Sequence, residues 1–169
     1  MGKILSRGLF ALYLVILTWL VLFKTSFSVS ALVAHHHQRS LNLVPFAAPS
    51  IINGRINYSE MVLNCVLFIP FGLLLSVNFK KVGFLPKLVL ILVFSLSVEI
   101  TQFIFAIGAT DITDVITNTT GGFLGLAMYS ISDKFINNEK LNRIIISVGI
   151  LVLLLFFSVI VSHFARGRF

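Results

Sequence analysis

Of the 169 residues, 57% are hydrophobic and 11% charged, and the mean hydropathy is +1.02. A soluble globular chain carries roughly 45–50% apolar and ~25% charged residues, so this composition excludes a water-soluble domain. The formal charge of +7 comes from basic residues placed between apolar runs, which excludes a nucleic-acid surface and fits a chain oriented in a bilayer.

Five apolar runs approach or reach the ~18–20 residues needed to cross a membrane. The predicted fold is all-α: a polytopic membrane protein of about five transmembrane helices. The spans fall at about residues 4–23, 61–79, 85–106, 112–131 and 144–163, with a long outer loop at 24–59, in one domain of residues 1–169. The first run follows Lys3 and has Trp19 and Lys24 near its far end. Its length favours a retained anchor helix over a cleaved signal peptide, although Ser28-Val29-Ser30-Ala31 has the small residues of a cleavage region.

Residues 24–59 carry Pro45, Pro49, Asn53 and Gly54 and read as a loop. Within it, Arg39 to Phe46 is amphipathic enough to lie along the interface. His35, His36 and His37 are consecutive and point in different directions, which makes a solvated cluster rather than a metal site. No cofactor is expected. The second run opens with Asn57-Tyr58-Ser59-Glu60, at capping-box spacing. It contains Cys65, a small core residue, and Pro70, whose missing N–H kinks the helix beside Gly72. The third run has Pro86 in its first turn. Residues 107–111 then form so short a link that runs three and four, 85–106 and 112–131, must be an antiparallel hairpin. A polar stretch, 132–143, leads to the fifth run.

Five spans put the termini on opposite sides. With the N-terminus inside, the inner segments hold Lys3, Arg7, Lys80, Lys81, Lys87, Lys134, Lys140 and Arg143, and the outer ones Lys24, Arg39, Arg55, Arg166 and Arg168. Eight against five favours an N-terminus inside and a C-terminus outside the cytoplasmic membrane. The basic tail is the argument against.

The region from Glu99 to Gly125 is unusual for its setting. Asp111, Asp114, Asn118, Gly121 and Gly125 share one face of the fourth helix, and Glu99 and Gln102 share one of the third. Polar groups at such positions in a bilayer are costly. At 1.5 Å per residue, Glu99 and Asn118 both lie about 10 Å from the outer ends of their runs. Glu99 is therefore expected to face Asn118, with Gln102 facing Asp114 above it. Asn64, near the outer start of the second run, and Arg39 and Asn42 in the outer loop complete one outward-opening cavity. Its floor is Pro70 and the glycine face. Each residue also has a plain structural reading: Asp111 and Asp114 as helix-capping acids, Asn118 as interhelical glue, and Gly121-x-x-x-Gly125 as a close-packing surface. An acid as deep as Glu99 is protonated, paired with Arg39 or another donor, or in contact with water.

Four ordered motifs, Arg39-x-x-Asn42-x-x-Pro45-Phe46, Asn64-x-x-x-Phe68-x-Pro70-Phe71-Gly72, Glu99-x-x-Gln102 and Asp111-x-x-Asp114-x-x-x-Asn118-x-x-Gly121, resemble the VanZ-like family. The resemblance covers about residues 39–125. It implies a bacterial cell-envelope role and lowered susceptibility to glycopeptides such as teicoplanin, and it supplies no mechanism. Some members carry an arginine shortly before the first aspartate. Gly108-Ala109-Thr110 stands there in this chain, leaving any such role to Arg39.

Three readings follow. In the first, a non-enzymatic protein binds a lipid-linked cell-wall precursor or an amphipathic antibiotic in the cavity lined by Arg39, Asn42, Asn64, Glu99, Gln102, Asp111, Asp114 and Asn118. In the second, an enzyme acts on a lipid-linked phosphate or sugar, with Glu99 as acid or base and Asp111 and Asp114 holding a divalent cation. The third is a small proton-coupled transporter using Glu99, against which no internal repeat is visible.

Overall fold

A computed structural model describes residues 3–23, 40–46, 50–52, 55–106 and 109–165. Among these residues the chain forms five helices, α1 (Lys3–Leu22), α2 (Ser59–Asn78), α3 (Phe84–Phe105), α4 (Ile112–Ser132) and α5 (Asn138–Ala165). Four three-residue strands accompany them: β1 (Ser40–Asn42), β2 (Ser50–Ile52), β3 (Arg55–Asn57) and β4 (Ala109–Asp111). The all-α membrane architecture is therefore realised, and the strands lie in the connections.

α1, α2 and α3 are each long and apolar enough to cross a membrane. Their outer faces, and those of α4 and α5, leave Val15, Trp19, Val62, Val93, Ile104, Met128 and Leu154 exposed. Surfaces of that kind are stable against lipid chains and not against water. α4 is less apolar because its polar residues and glycines are concentrated on the buried side.

Spacing dictates the packing. α1 buries Ser6, Leu9, Tyr13, Leu17 and Val21, a stripe of one residue per turn. It runs antiparallel to α2, with Ser6 Oγ donating to Asn78 Oδ1 at 2.8 Å and the Tyr13 hydroxyl donating to the Leu67 carbonyl. Phe71 of α2 stacks on Phe10 of α1 at 6.1 Å and meets Phe94 of α3 at 5.1 Å, so one aromatic cluster joins three helices. α5 starts six residues before its apolar run. Asn137 Oδ1 accepts the Glu139 N–H at 2.9 Å, so the polar stretch becomes the first turn of the helix.

The tightest seam joins α2 to α4. A methyl group on Gly121 would overlap the Cys65 carbonyl oxygen, one on Gly125 that of Ile69, and one on Gly72 that of Gly122. Cys65 with Gly121 and Ile69 with Gly125 advance together, so the two helices are parallel and touch backbone to backbone. That contact is what the glycine spacing permits. Pro70 lies within α2, which remains continuous across it. α3 and α4 form the expected antiparallel hairpin, with Ile91 packed over Gly122 and Ser95 beside Asn118.

Tyr58 occupies the N-cap of α2 with no side-chain cap bond, so the capping-box spacing there is not used by the residue that holds that position. β2 and β3 pair antiparallel, Ile51 with Ile56, and two residues, Asn53-Gly54, separate them in sequence. Asn-Gly is the preferred pair of a two-residue hairpin.

Gly125→Ala is expected to lower stability by about 2 kcal/mol, because two backbones must move apart. Gly8→Ala, with nothing within 4 Å of the added methyl, is expected to be neutral or up to about 1 kcal/mol stabilising. Thermal unfolding of the two variants in detergent, followed by helical circular dichroism, checks the contrast.

Candidate functional site

The site is built where α4 begins. α3 ends at Ala106, a left-handed cap (φ 50°) whose N–H returns to the Gln102 and Phe103 carbonyls. The chain then comes back along α3 as β4, and Thr110 Oγ1 donates to the Glu99 carbonyl at 3.2 Å. Asp111 is the N-cap of α4, its Oδ1 accepting the Thr113 N–H at 2.7 Å. The Asp111 N–H in turn donates to Glu99 Oε2 at 3.0 Å. In a capping box a glutamate on the helix's own first turn fills that second role. Here a glutamate on the neighbouring helix fills it.

This geometry corrects the expected pairing of Glu99 with Asn118 and of Gln102 with Asp114. An extended residue advances about 3.3 Å against 1.5 Å in a helix, so three residues of β4 carry the chain back down to Glu99 before α4 starts. Every partner shifts by about a turn. Asn118 Nδ2 donates to Ser95 Oγ at 3.0 Å. Asp114 Oδ1 accepts from Asn64 Nδ2 at 2.6 Å, and Gln102 Nε2 donates to the Val21 carbonyl of α1 at 3.1 Å. Asn64, Glu99, Gln102, Asp114 and Asn118 are all buried. The Gln102 Oε1 and Asn118 Oδ1 acceptors meet no donor among the described residues.

Asn42 is brought in by a parallel pairing of β1 with β4, which sets it opposite Asp111. Its Nδ2 donates to Asp111 Oδ2 at 3.1 Å, and its Oδ1 accepts the Val44 N–H at 3.1 Å, forming an Asx turn. Pro45 follows, and then Phe46 at φ 59°, a value costly for a residue with a side chain. The Phe46 N–H donates to Thr113 Oγ1 at 3.1 Å. Segment 41–46 is thus held to the start of α4 at both ends, while Leu41, Leu43, Val44 and Phe46 stay exposed.

Seven of the eight predicted residues therefore converge at one end of the bundle. Arg39 lies outside the described residues, as do the three histidines. Among the described residues, no three His, Cys, Asp or Glu side chains gather as a metal site. Ser95, Thr110 and Thr113 belong to the network although the motif reading passed over them. Ser95 was detectable, since 95, 99 and 102 fall on one helical face. The threonines act through fold-dependent contacts and carry no such signal.

The polar motif residues among the described ones thus gather at one end of the bundle, and the profile of the VanZ/LLP1 family matches residues 10–133, which contain all four motifs. The chain belongs to the VanZ/LLP1 family. A curated relative, Protein VanZ of Enterococcus faecium, is 63% identical over 155 residues, 92% of this chain and 92% of that protein. No solved structure matches. Within this VanZ/LLP1 chain, Asn42, Asn64, Glu99, Asp111 and Asp114 bond to one another or to each other's backbone.

Glu99→Gln keeps an acceptor for the Asp111 N–H and is expected to unfold closer to the wild type than Glu99→Leu, which removes it. A double-mutant cycle on Asn64 and Asp114 is expected to give a coupling of about 1.5–3 kcal/mol, as for a hydrogen bond to a charged group. Both are read from thermal unfolding in detergent, and a coupling near zero contradicts the pairing.

Proposed function

We propose that this protein is a bacterial cell-envelope membrane protein that lowers susceptibility to glycopeptides such as teicoplanin by binding or shielding a lipid-linked or amphipathic ligand. The observation that carries this reading is the use of the polar layer. Its hydrogen bonds fix segment 41–46 at the end of the bundle while four apolar side chains of that segment remain uncovered. Such a surface suits the tail or apolar face of an amphiphile. Arg39, directly before β1, supplies a cation for its anionic head group. The buried acceptors of Gln102 and Asn118 suit donors such as sugar hydroxyls or amides. An N-terminus inside the cytoplasmic membrane turns this end outward, toward cell-wall precursors and antibiotic.

The enzymatic reading is weaker. Glu99 already accepts a main-chain N–H at the start of α4, which suits a positioning role better than proton transfer to a substrate.

Expressed in a glycopeptide-susceptible host, the wild-type chain is expected to raise the minimal inhibitory concentration of teicoplanin at least about fourfold, or about 0.8 kcal/mol in effective drug activity. A variant with Leu43, Val44 and Phe46 all changed to Ser is expected to lose that effect while remaining at wild-type level in the membrane. Unchanged teicoplanin and vancomycin values on wild-type expression would remove the resistance role. Full resistance from the triple variant would remove segment 41–46 from it.

A further inference from the structure

The opposite end of the bundle holds a second polar feature that the signature motifs do not touch. A recess of about 670 Å³ opens between the start of α1, the α2–α3 turn and the first turns of α5. Lys3 and Arg7 reach it from α1, Lys80 and Lys81 from the turn, and Glu139 and Asn142 from α5. Four cations therefore converge on a space lined by a single carboxylate. Orienting a membrane protein requires only that basic residues lie on one side. It does not require residues 3, 7, 80 and 81 to share one recess, where each raises the electrostatic energy of the others. A bound anion offsets that repulsion.

The recess is also partly built before any ligand arrives. Ser6 Oγ donates to Asn78 Oδ1 at 2.8 Å, tying α1 to the end of α2, and Lys80 Nζ donates to Asn138 Oδ1 at 3.3 Å, tying the turn to α5. Phe79 and Val82 add an apolar wall and are themselves exposed. An occupant suited to both walls carries an anionic head and a hydrocarbon chain.

We infer that this recess binds the phosphate head group of an anionic phospholipid. The site is independent of the function proposed above and uses none of its residues. It is tested with the full-length protein in neutral detergent, by native mass spectrometry with phosphatidylglycerol and phosphatidylcholine as probes. Phosphatidylglycerol is expected to be held at least about tenfold more tightly. Lys80→Gln with Lys81→Gln is expected to weaken it about 30-fold, on roughly fivefold per basic residue. Lys134→Gln with Lys140→Gln removes the same charge from the same end, outside the recess, and is expected to change binding by about twofold or less. Helical circular dichroism confirms folding of each variant, and Arg7→Gln, expected to weaken binding about fivefold, replaces the Lys80/Lys81 pair if that pair does not fold. Equal losses in the two double variants, or equal retention of both lipids, would overturn the proposal. Displacement of the lipid by glycerol phosphate at equal concentration would assign the recess to a soluble phosphate and overturn it as well.

Discussion

The loop end of this bundle depends on one carboxylate meeting one backbone N–H. Glu99, on α3, accepts from the main chain of Asp111 at the N-cap of α4. A helix start leaves N–H groups without partners, and a start as buried as this one must find them within the protein. Bringing an acid from the neighbouring helix satisfies the N-cap donor with a side-chain oxygen. It also fixes the hairpin register, because Glu99 can reach Asp111 only if β4 runs back along α3.

Once that register is set, the other polar contacts follow in order of depth. Asp111 is positioned to receive Asn42, Asp114 to receive Asn64, and Asn118 to reach Ser95. Below them the residues become glycines, and hydrogen bonding gives way to backbone contact between α2 and α4. The two halves of α4 thus attach it in different ways. Its first half is held by directional bonds that specify position, and its second by close approach that specifies which helix is its neighbour.

Much of this was legible in the chain. Five apolar runs gave five helices because lipid imposes a length and a polarity that composition reports directly. The polar face of α4 and its glycine seam were visible as spacing. The pairing depth was not: counting along helices treats residues 107–111 as a neutral link, whereas extended residues cover more than twice the distance of helical ones. The strands were equally hidden, since three-residue pairings in a connection leave no alternating pattern to detect. The role of Asn42 required knowing that β1 lies beside β4, a contact between residues separated by 69 positions.

The glycine seam also sets a problem of timing. Cys65 and Gly121 meet as closely as two backbones can, yet a ribosome adding ~5–20 residues per second needs about 3–11 seconds to reach the second after the first. During that interval the face of α2 that carries Cys65, Ile69 and Gly72 has yet to meet its partner. α3, which inserts in between, meets α2 through the ring contacts of Phe94 with Phe68 and Phe71 and leaves that face to its successor. The two later helices use different faces of α2: α3 the aromatic side, and α4 the side of Cys65, Ile69 and Gly72, so the helix made first does not compete for the seam.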